Sequence, residues 1–314
     1  MIPRETNKNN LVILLYHGVT ESESSGIENY SKKHIRADEF ESHMRFISRN
    51  NNVLSIYETI EHLKNKRPFP EYSVAVTFDD GFENNYSVAL PILNKYAIPA
   101  TFFLTVGFIG TNKMFWVDEL EHAINMACNI RFMFVLGGKK YKINLAQNKG
   151  KIEFLNKVKK YLKTLSDDER LSILEEVIAL LAPCVQGMRK IHNYRKLSWA
   201  QVRTMAHSKF VALGVHSMTH SKLSLADNEK LKSEIEESKN ILEGKIGKRV
   251  DLFSYPEGQK SDFNDNVINI LKQSGYICSP TAMYGWNPLN SDPFHLKRVF
   301  VGFMGEKFPL SKDQ

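Results

Sequence analysis

The stretch Ser73-Val74-Ala75-Val76-Thr77-Phe78-Asp79-Asp80-Gly81 determines how the rest of the chain is interpreted. Its apolar, β-branched first part predicts a buried strand, and this strand ends on two adjacent carboxylates. Neighbouring carboxylates repel each other, so they stay ionised only when solvent or a cation is close. An ordinary Asp-Gly turn is the alternative, because both residue types are common in turns.

A second apolar stretch, from Phe210 to Val215, runs into His216 and His220. Two imidazoles and one carboxylate make a three-ligand metal site, so these histidines and Asp80 are the candidate ligands. The helical His-Glu-x-x-His motif of zinc proteases is a competing interpretation, but position 217 is Ser and the preceding residues favour a strand. Two ordinary surface histidines are the other alternative. The placement of all three groups at predicted strand ends favours the metal site.

Both motifs resemble those of a known family. Thr77–Gly81 and His216–His220 resemble the first two motifs of the NodB-homology polysaccharide deacetylases, carbohydrate esterase family four. Phe253–Gly258 resembles the third motif, and Tyr16–Val19 resembles the opening signature of one subgroup. The resemblance covers residues 11–110 and 196–303.

The resemblance implies a role for each matched residue. One divalent ion, with zinc expected, would be held by Asp80, His216 and His220, while Asp79 would be the general base. A carboxylate beside an activated water can take its proton, whereas one that ligates a metal is a weaker base. The backbone N–H of Glu257 would stabilise the oxyanion, and Tyr255 and Pro256 of the same motif are assigned to substrate binding. Leu296 would line the acyl pocket, with a core leucine as the alternative.

The chain departs from the family pattern at two positions. Ser254 stands where the third motif often has Arg, and Arg298 stands where the last motif often has His. We predict that Arg298 supplies the missing cation to Asp79, the alternative being an arginine that faces solvent. The general acid is then unassigned. His17 is a candidate because it follows a predicted strand, and His295 is a weaker candidate that a structural role also explains.

Composition indicates a globular protein. The chain has 314 residues, 42% of them hydrophobic, which is enough for a sizeable core. Its three cysteines are far apart in sequence, so neither a disulfide framework nor a cysteine metal site is expected. The apolar run Leu11–Leu15 is too short for a signal peptide core or a membrane span. We therefore expect a cytoplasmic location and no integral membrane segment.

The net charge of +7 would suit an anionic partner such as a nucleotide sugar, a lipid-linked phosphate or a membrane surface. A solvated helix face is the favoured explanation for the basic residues of the 151–165 region, where lysines follow an amphipathic pattern: Lys157, Lys159, Lys160 and Lys163. No basic patch interleaved with aromatic residues accompanies the charge, so nucleic-acid binding is not expected.

Strand and helix patterns alternate along most of the chain. Serines predict helix starts through capping boxes at Ser55, Ser166 and Ser198, and Asp38 is predicted to cap a fourth helix. The alternation indicates an α/β fold, and the family resemblance implies a distorted parallel (β/α) barrel of about seven strands. Periodicity alone also allows an open doubly wound sheet.

We expect a single domain over residues 1–314, interrupted by an insertion at 111–194. Within the insertion, Gly137-Gly138 predicts a β-hairpin turn with positive φ, and the rest predicts helices. The insertion could be a lid over the site, a surface for another subunit including a second copy of this chain, or a passive elaboration.

The expected activity is metal-dependent hydrolysis of an N-acyl group, N-acetyl above all, on an amino sugar of polysaccharide or glycan-precursor metabolism. The sugar could be free, nucleotide-linked or lipid-linked. Hydrolysis of a non-sugar amide is a close alternative. A catalytically silent saccharide-binding or scaffold protein is a different class, motivated by the two departures at Ser254 and Arg298.

Overall fold

The computed structural model describes residues 9–21, 23–127, 131–182 and 192–310. Its strands are β1 (Val12–Tyr16), β2 (Gly18–Thr20), β3 (His34–Arg36), β4 (Asn52–Val53), β5 (Ser73–Phe78), β6 (Ala100–Leu104), β7 (Arg131–Leu136), β8 (Lys139–Asn144), β9 (Val211–Val215) and β10 (Val299–Phe300). Its α-helices are α1 (Ala37–Asn50), α2 (Ile56–Lys64), α3 (Leu90–Lys95), α4 (Trp116–Met126), α5 (Asn148–Leu162), α6 (Asp167–Leu181), α7 (Trp199–Ala206), α8 (Asn228–Lys232), α9 (Ser238–Ile246) and α10 (Asp265–Gln273).

The main sheet is parallel, in the order β10-β1-β5-β6-β9, and β4 also pairs with β5. Single bridges extend it beyond β9, from Val215 to Phe253 and from Leu252 to Cys278. Parallel strands need crossover connections, and helices supply most of them here. The α/β prediction is confirmed. Among the described residues β1–β10 alone do not form a closed ring, and a further single bridge joins Tyr284 to Arg298, next to β10. The predicted barrel of about seven strands stays a prediction.

Both faces of the main sheet are buried. On β1, Leu14 and Tyr16 belong to the larger apolar cluster, whereas Ile13, on the opposite face, belongs to a smaller one together with Leu11, the residue before the strand. All six residues of β5 are buried as well. Burial on two faces explains why these strands read as continuous apolar runs rather than as alternating patterns.

Three of the four predicted helix starts are confirmed. The side chains of Ser55, Ser166 and Ser198 each accept a hydrogen bond from the backbone three residues on, in complete capping boxes. The prediction at Asp38 is wrong, since α1 begins at Ala37 and its cap, Arg36, makes no side-chain capping bond. The reason is that β3 pairs with β2 as far as Arg36 and thereby sets where the helix can begin.

Contacts divide the chain into two compact units. The first comprises Met1–Glu21, Ser31–Asn112 and Arg195–Gln314, and the second comprises Ser22–Tyr30 and Lys113–Tyr194. The second unit therefore corresponds to the predicted insertion plus a short earlier segment of the chain. Its own apolar cluster includes side chains of α4, α5, α6, β7 and β8. That the second unit is an insertion within a single domain stays a prediction.

Two other expectations concern the hairpin and the cysteines. β7 and β8 pair antiparallel around Gly137 and Gly138, whose φ angles of 56° and 75° are in the left-handed region that the turn requires. Cys278 is a buried free thiol, while Cys128 and Cys184 lie outside the described residues.

No helix in the described parts of the chain is both long and apolar enough to cross a membrane.

Candidate active site

The candidate residues follow the carboxyl ends of neighbouring strands of the main sheet. Asp79 and Asp80 come directly after β5, and His216 comes directly after β9. The strand between them, β6, pairs with both in register, Phe78 with Phe102 and Leu104 with Val215. Polar groups at the carboxyl ends of parallel strands collect at one edge of a sheet, which is where these side chains meet.

The three predicted metal ligands lie together. Atoms of Asp80, His216 and His220 that could bind a metal are all within 4.8 Å of one another. Asp80 Oδ1 is 3.7 Å from His216 Nε2 and 3.5 Å from His220 Nε2. Tetrahedral zinc with bonds of 2.0–2.1 Å places its ligand atoms about 3.3 Å apart, so these separations are close to those of a bound ion.

Two features of the ligand set fit a divalent cation. Asp80 Oδ1 is buried and has no hydrogen-bond donor, and a buried carboxylate oxygen in that state is costly unless a cation is near. The Nδ1 atom of His216 forms a 2.8 Å hydrogen bond with the carbonyl oxygen of Ser254, which leaves Nε2 as the atom directed at Asp80. A second partner of this kind fixes the ring orientation and tautomer of metal-binding histidines.

His220 is positioned by a loop that a buried glutamate holds. Both oxygens of the Glu234 carboxylate are used: it accepts hydrogen bonds of 2.9 Å from the backbone N–H groups of Met218 and Thr219, and another from the Thr219 hydroxyl. Ser217 Oγ accepts a further bond from the His220 N–H at 2.9 Å. Glu234 lies in the π-helical turn Ser233–Glu237 between α8 and α9 and is 1% exposed. No local pattern in the sequence indicated this role, because the contact joins two separate elements.

Left-handed backbone conformations accumulate in the motifs. Asp80, Ser217, His220 and Glu257 have φ angles of 79°, 61°, 61° and 58°. Such angles are uncommon for residues other than glycine, and they persist where surrounding contacts hold them. Two of the candidate ligands therefore have backbone conformations that tertiary contacts impose.

The predicted contact between Arg298 and Asp79 is present. Nη1 of Arg298 donates to Asp79 Oδ1 at 2.8 Å and Nη2 donates to Asp79 Oδ2 at 2.6 Å, so the pair is bidentate. Nη2 also donates to Ser254 Oγ at 2.9 Å, and Nε donates to the Thr281 carbonyl at 2.7 Å. Arg298 is 0% exposed, so the alternative of a solvent-facing arginine is wrong.

Arg298 approaches Asp79 from within the sheet rather than from the strand ends. Val299 and Val76 both pair with Leu14, which puts Arg298 beside the level of Ala75, four positions before Asp79. Only a long side chain reaches from that level to the strand end where Asp79 lies. Ser254, which stands where the family often has Arg, accepts from the same guanidinium, so the two departures from the family pattern are structurally linked.

The electrostatic surroundings keep both aspartates ionised. Burial raises the pKa of Asp79, but the Arg298 guanidinium and His216 together outweigh burial, and its pKa is lowered. The pKa of Asp80 is lowered too, because at acidic pH, where the neighbouring histidines are protonated, their positive charges, that of His17 first, outweigh its burial. Burial lowers the pKa of His216 to about 4, so its ring is neutral at pH 7, as a metal ligand must be.

His17 lies near the same site. Its ring stacks on Phe300 with centroids 6.3 Å apart, and its Nδ1 atom is buried without a hydrogen-bond partner. Burial lowers its pKa, partly opposed by the carboxylates of Asp80 and Asp79. The resting ring is therefore neutral at pH 7, and a role as general acid would require it to gain a proton during the reaction.

The remaining candidates are placed as follows. Glu257 is exposed, in a turn where Gly258 also has positive φ, as a presented backbone donor would need. Tyr255 is 1% exposed and donates to the Phe294 carbonyl at 3.1 Å, while Pro256 is buried. Leu296 is fully buried in the smaller apolar cluster, which is the arrangement of a core leucine. Substrate contacts by these four residues stay predictions.

His295 has a structural explanation. It is exposed, and its Nδ1 lies 2.8 Å from Asp292 Oδ2. The surface pairing matches the structural alternative for this histidine.

Comparison with known proteins gives one family. The family model described as polysaccharide deacetylase matches residues 66–278, which is more than half of the chain. A curated relative, poly-beta-1,6-N-acetyl-D-glucosamine N-deacetylase of Staphylococcus aureus, is 34% identical over 100 residues. That match covers 32% of this chain and only 33%, about a third, of the relative.

Solved structures show the same fold. The Streptococcus pyogenes deacetylase PplD, solved in complex with acetate, aligns with a TM-score of 0.60 at 18% identity, covering 94% of this chain and 93% of that one. IcaB from Ammonifex degensii aligns with a TM-score of 0.58 at 18% identity, covering 93% and 92%. At these identities the likeness concerns the fold.

Proposed function

The chain belongs to the polysaccharide deacetylase family, and we propose on this premise that it is a metal-dependent hydrolase that removes N-acetyl groups from an amino-sugar polymer. One observation carries the proposal. A three-ligand group, Asp80, His216 and His220, lies beside a carboxylate, Asp79, that is not part of it. Metal-assisted hydrolysis needs this combination of an ion site and a separate base.

Asp80, His216 and His220 would hold one divalent ion, with zinc expected from the two nitrogen ligands and one oxygen ligand. Such an ion supplies Lewis acidity that activates water and polarises the acyl carbonyl. With three protein ligands, positions stay open for water and substrate, as in catalytic rather than structural sites.

Asp79 would take the proton of the attacking water. Its Oδ2 is 4.0 Å from His216 Nε2, which places it beside the ligand set. Arg298 holds both carboxylate oxygens in one orientation, and its charge keeps Asp79 in the ionised form that a base needs. Each carboxylate oxygen has a second lone-pair site, so accepting a proton does not require the arginine to leave.

Two further groups complete the proposal. The backbone N–H of Glu257 would donate to the developing oxyanion, as the turn geometry at Glu257 and Gly258 allows. His17 would pass a proton to the leaving amine after gaining it from Asp79, because its own lowered pKa leaves it neutral at rest. The products are the free amine of the sugar and acetate.

The substrate class rests on the relatives. The Staphylococcus aureus relative is named for poly-beta-1,6-N-acetyl-D-glucosamine, so oligomers of this polymer are the first substrates to test. Free, nucleotide-linked and lipid-linked N-acetyl sugars are the other substrates to test.

The cytoplasmic location and an assembly of copies through the second unit stay predictions. The silent-scaffold alternative loses one of its two motivations, since Arg298 occupies the place beside Asp79 that a missing arginine would have left empty. The other motivation, the absence of the histidine of the last motif, stands.

The decisive experiment is an assay of the zinc-loaded protein on soluble β-1,6-linked N-acetylglucosamine oligomers, with acetate and free amines measured in parallel. We expect equal amounts of both products, and loss of both in Asp79→Asn. A panel of nucleotide-linked sugars and of non-sugar N-acetyl amides separates the alternatives. A protein that binds zinc and the oligomers but releases no acetate from any substrate would refute the enzyme and favour the saccharide-binding scaffold.

A further inference from the structure

The hairpin of the second unit has two unlike faces. On the inner face, the rings of Phe132 and Phe134 pack edge-on against Phe154 of α5 with centroids 5.8 and 5.4 Å away. The outer hairpin face consists of the alternate residues, paired across the strands as Arg131 with Asn144, Met133 with Lys142 and Val135 with Lys140. Residues directly opposite in an antiparallel pair point to the same side, so these six side chains form one surface.

Two apolar side chains of this surface are among the most exposed in the described chain. Met133 is 62% exposed and Val135 is 55% exposed, although both residue types are usually buried. Arg131, Lys140 and Lys142 on the same surface are exposed too. The outer hairpin face is thus apolar in the middle and cationic around it.

The charge of the surrounding segment is strongly one-sided. Residues 131–163, from β7 through α5, contain ten lysines and arginines and one acid, Glu153. This surplus of nine exceeds the net charge of +7 of the whole chain. Lysines of α5 alone fit a solvated helix face, as the sequence suggested. The hairpin differs, because on its outer face exposed apolar side chains lie directly opposite the cations, Met133 opposite Lys142 and Val135 opposite Lys140.

We propose that the outer hairpin face binds a lipid surface that carries anionic headgroups. Clustered lysines and arginines attract such a surface, and apolar side chains between them enter the boundary between headgroups and acyl chains. A soluble polyanion would use the cations but would leave Met133 and Val135 in water. Two apolar side chains are a small anchor, so binding depends mainly on charge and is reversible and sensitive to salt.

The test is sedimentation of the full chain with vesicles of phosphatidylcholine alone or mixed with phosphatidylglycerol, at low and at high salt. We expect binding only to the mixed vesicles, and its loss at high salt. Lys140→Glu with Lys142→Glu should weaken binding about tenfold or more, since two attractions become repulsions. The matched control, Lys232→Glu with Lys307→Glu, reverses two exposed lysines of the first unit and should change binding less than twofold.

A second pair of variants separates lipid from other anions. Met133→Thr with Val135→Thr keeps side chains suited to a strand and should weaken vesicle binding several-fold while leaving binding to polyphosphate unchanged. Circular dichroism checks that each variant is folded. The proposal is overturned if the hairpin and control reversals behave alike, if phosphatidylcholine alone binds the protein equally well, or if the threonine pair has no effect on vesicles.

Discussion

Both terminal nitrogens of Arg298 donate to Asp79, one to each carboxylate oxygen, at 2.8 and 2.6 Å. Both residues are buried, and Ser254 joins the pair as a third member. A planar guanidinium fixes the carboxylate plane as well as its charge, which a lysine ammonium cannot do. Arg298 thus acts as a positioning residue for the proposed base, and the orientation of Asp79 depends on a residue that is distant in sequence.

Arg298→Lys should lower the turnover of the proposed reaction by about tenfold or more while the metal content stays unchanged, because the charge remains and the bidentate geometry is lost. The acidic limb of the pH–rate profile should move to higher pH, since a weaker cation contact lets Asp79 protonate more readily. Steady-state kinetics with metal analysis measures both effects.

Adding Ser254→Arg to Arg298→Lys should recover part of the rate, because an arginine would then approach Asp79 from the position that the family often uses. Arg298→Ala is less informative, since leaving the Asp79 charge buried and unpaired costs about 3–5 kcal/mol of stability. Unchanged turnover and an unchanged pH profile in Arg298→Lys would contradict the positioning role.

The two adjacent aspartates should respond differently to substitution. Asp80→Ala, His216→Ala and His220→Ala should each lose the metal. Asp79→Asn should keep the metal and lose turnover by about 10²- to 10⁴-fold, the usual contribution of a general base. Mass spectrometry of metal content beside the acetate assay distinguishes these outcomes, and a metal-free Asp79→Asn protein would reverse the two assignments.

Glu234→Gln should weaken metal binding by about 10- to 100-fold, the usual effect of losing a residue that orients a ligand. The two backbone N–H groups donate to one oxygen of Glu234 and the Thr219 hydroxyl donates to the other. An amide has one acceptor oxygen, so it keeps the backbone bonds in a weaker, uncharged form and loses the bond from the hydroxyl, and the loop that carries His220 loosens. Competition with a chromogenic chelator measures the affinity. Glu237→Gln, exposed on the same π-helical turn, is the matched control, and an equal change in both variants would argue against the loop mechanism.

The stability of the protein should fall in mild acid, in part through His43. Its ring stacks on Phe308 with centroids 4.1 Å apart, and its Nδ1 lies 3.3 Å from the Tyr16 hydroxyl. Burial lowers the pKa of His43 from 6.5 to about 4, and the Glu39 carboxylate, 4.0 Å from Nε2, is half exposed and does not reverse this.

Between pH 6.5 and about 4, the two pKa values of His43, the unfolded chain binds a proton at this residue and the folded chain does not. The contribution of His43 is therefore fully present above about pH 6.5, and up to about 3 kcal/mol of the free energy of unfolding is lost as the pH falls towards 4. Urea unfolding at pH 7.0, 6.0 and 5.0 measures the loss. His43→Gln should make the pH dependence shallower, and a variant with the same slope as the original chain would contradict the assignment.

Replacement of residues 113–194 by a short linker should preserve metal binding, because every proposed ligand and Asp79 belong to the first unit. Metal content and the acetate assay on short and long oligomers check this expectation. Loss of the metal from a folded, shortened protein would mean that the second unit supports the site.

Local sequence was sufficient for the elements whose signals are local. The apolar runs of β1 and β5, the capping boxes at Ser55 and Ser198, and the Gly137-Gly138 turn were all predicted, because propensity, capping and positive φ act within a few residues. The candidate metal ligands could also be named, since each follows a strand whose pattern is visible and since their chemical types are complementary.

Tertiary structure decided what distant contacts control. The start of α1 follows from the pairing of β3 with β2, which no signal near Asp38 reveals. The contact between Arg298 and Asp79 is a hypothesis that the two motif departures allow. The strand register decides the rest: it places Arg298 beside the level of Ala75, from where the guanidinium reaches both Asp79 and Ser254. The role of Glu234 had no sequence signal at all, because a carboxylate that holds a loop is set by which helix packs beside that loop.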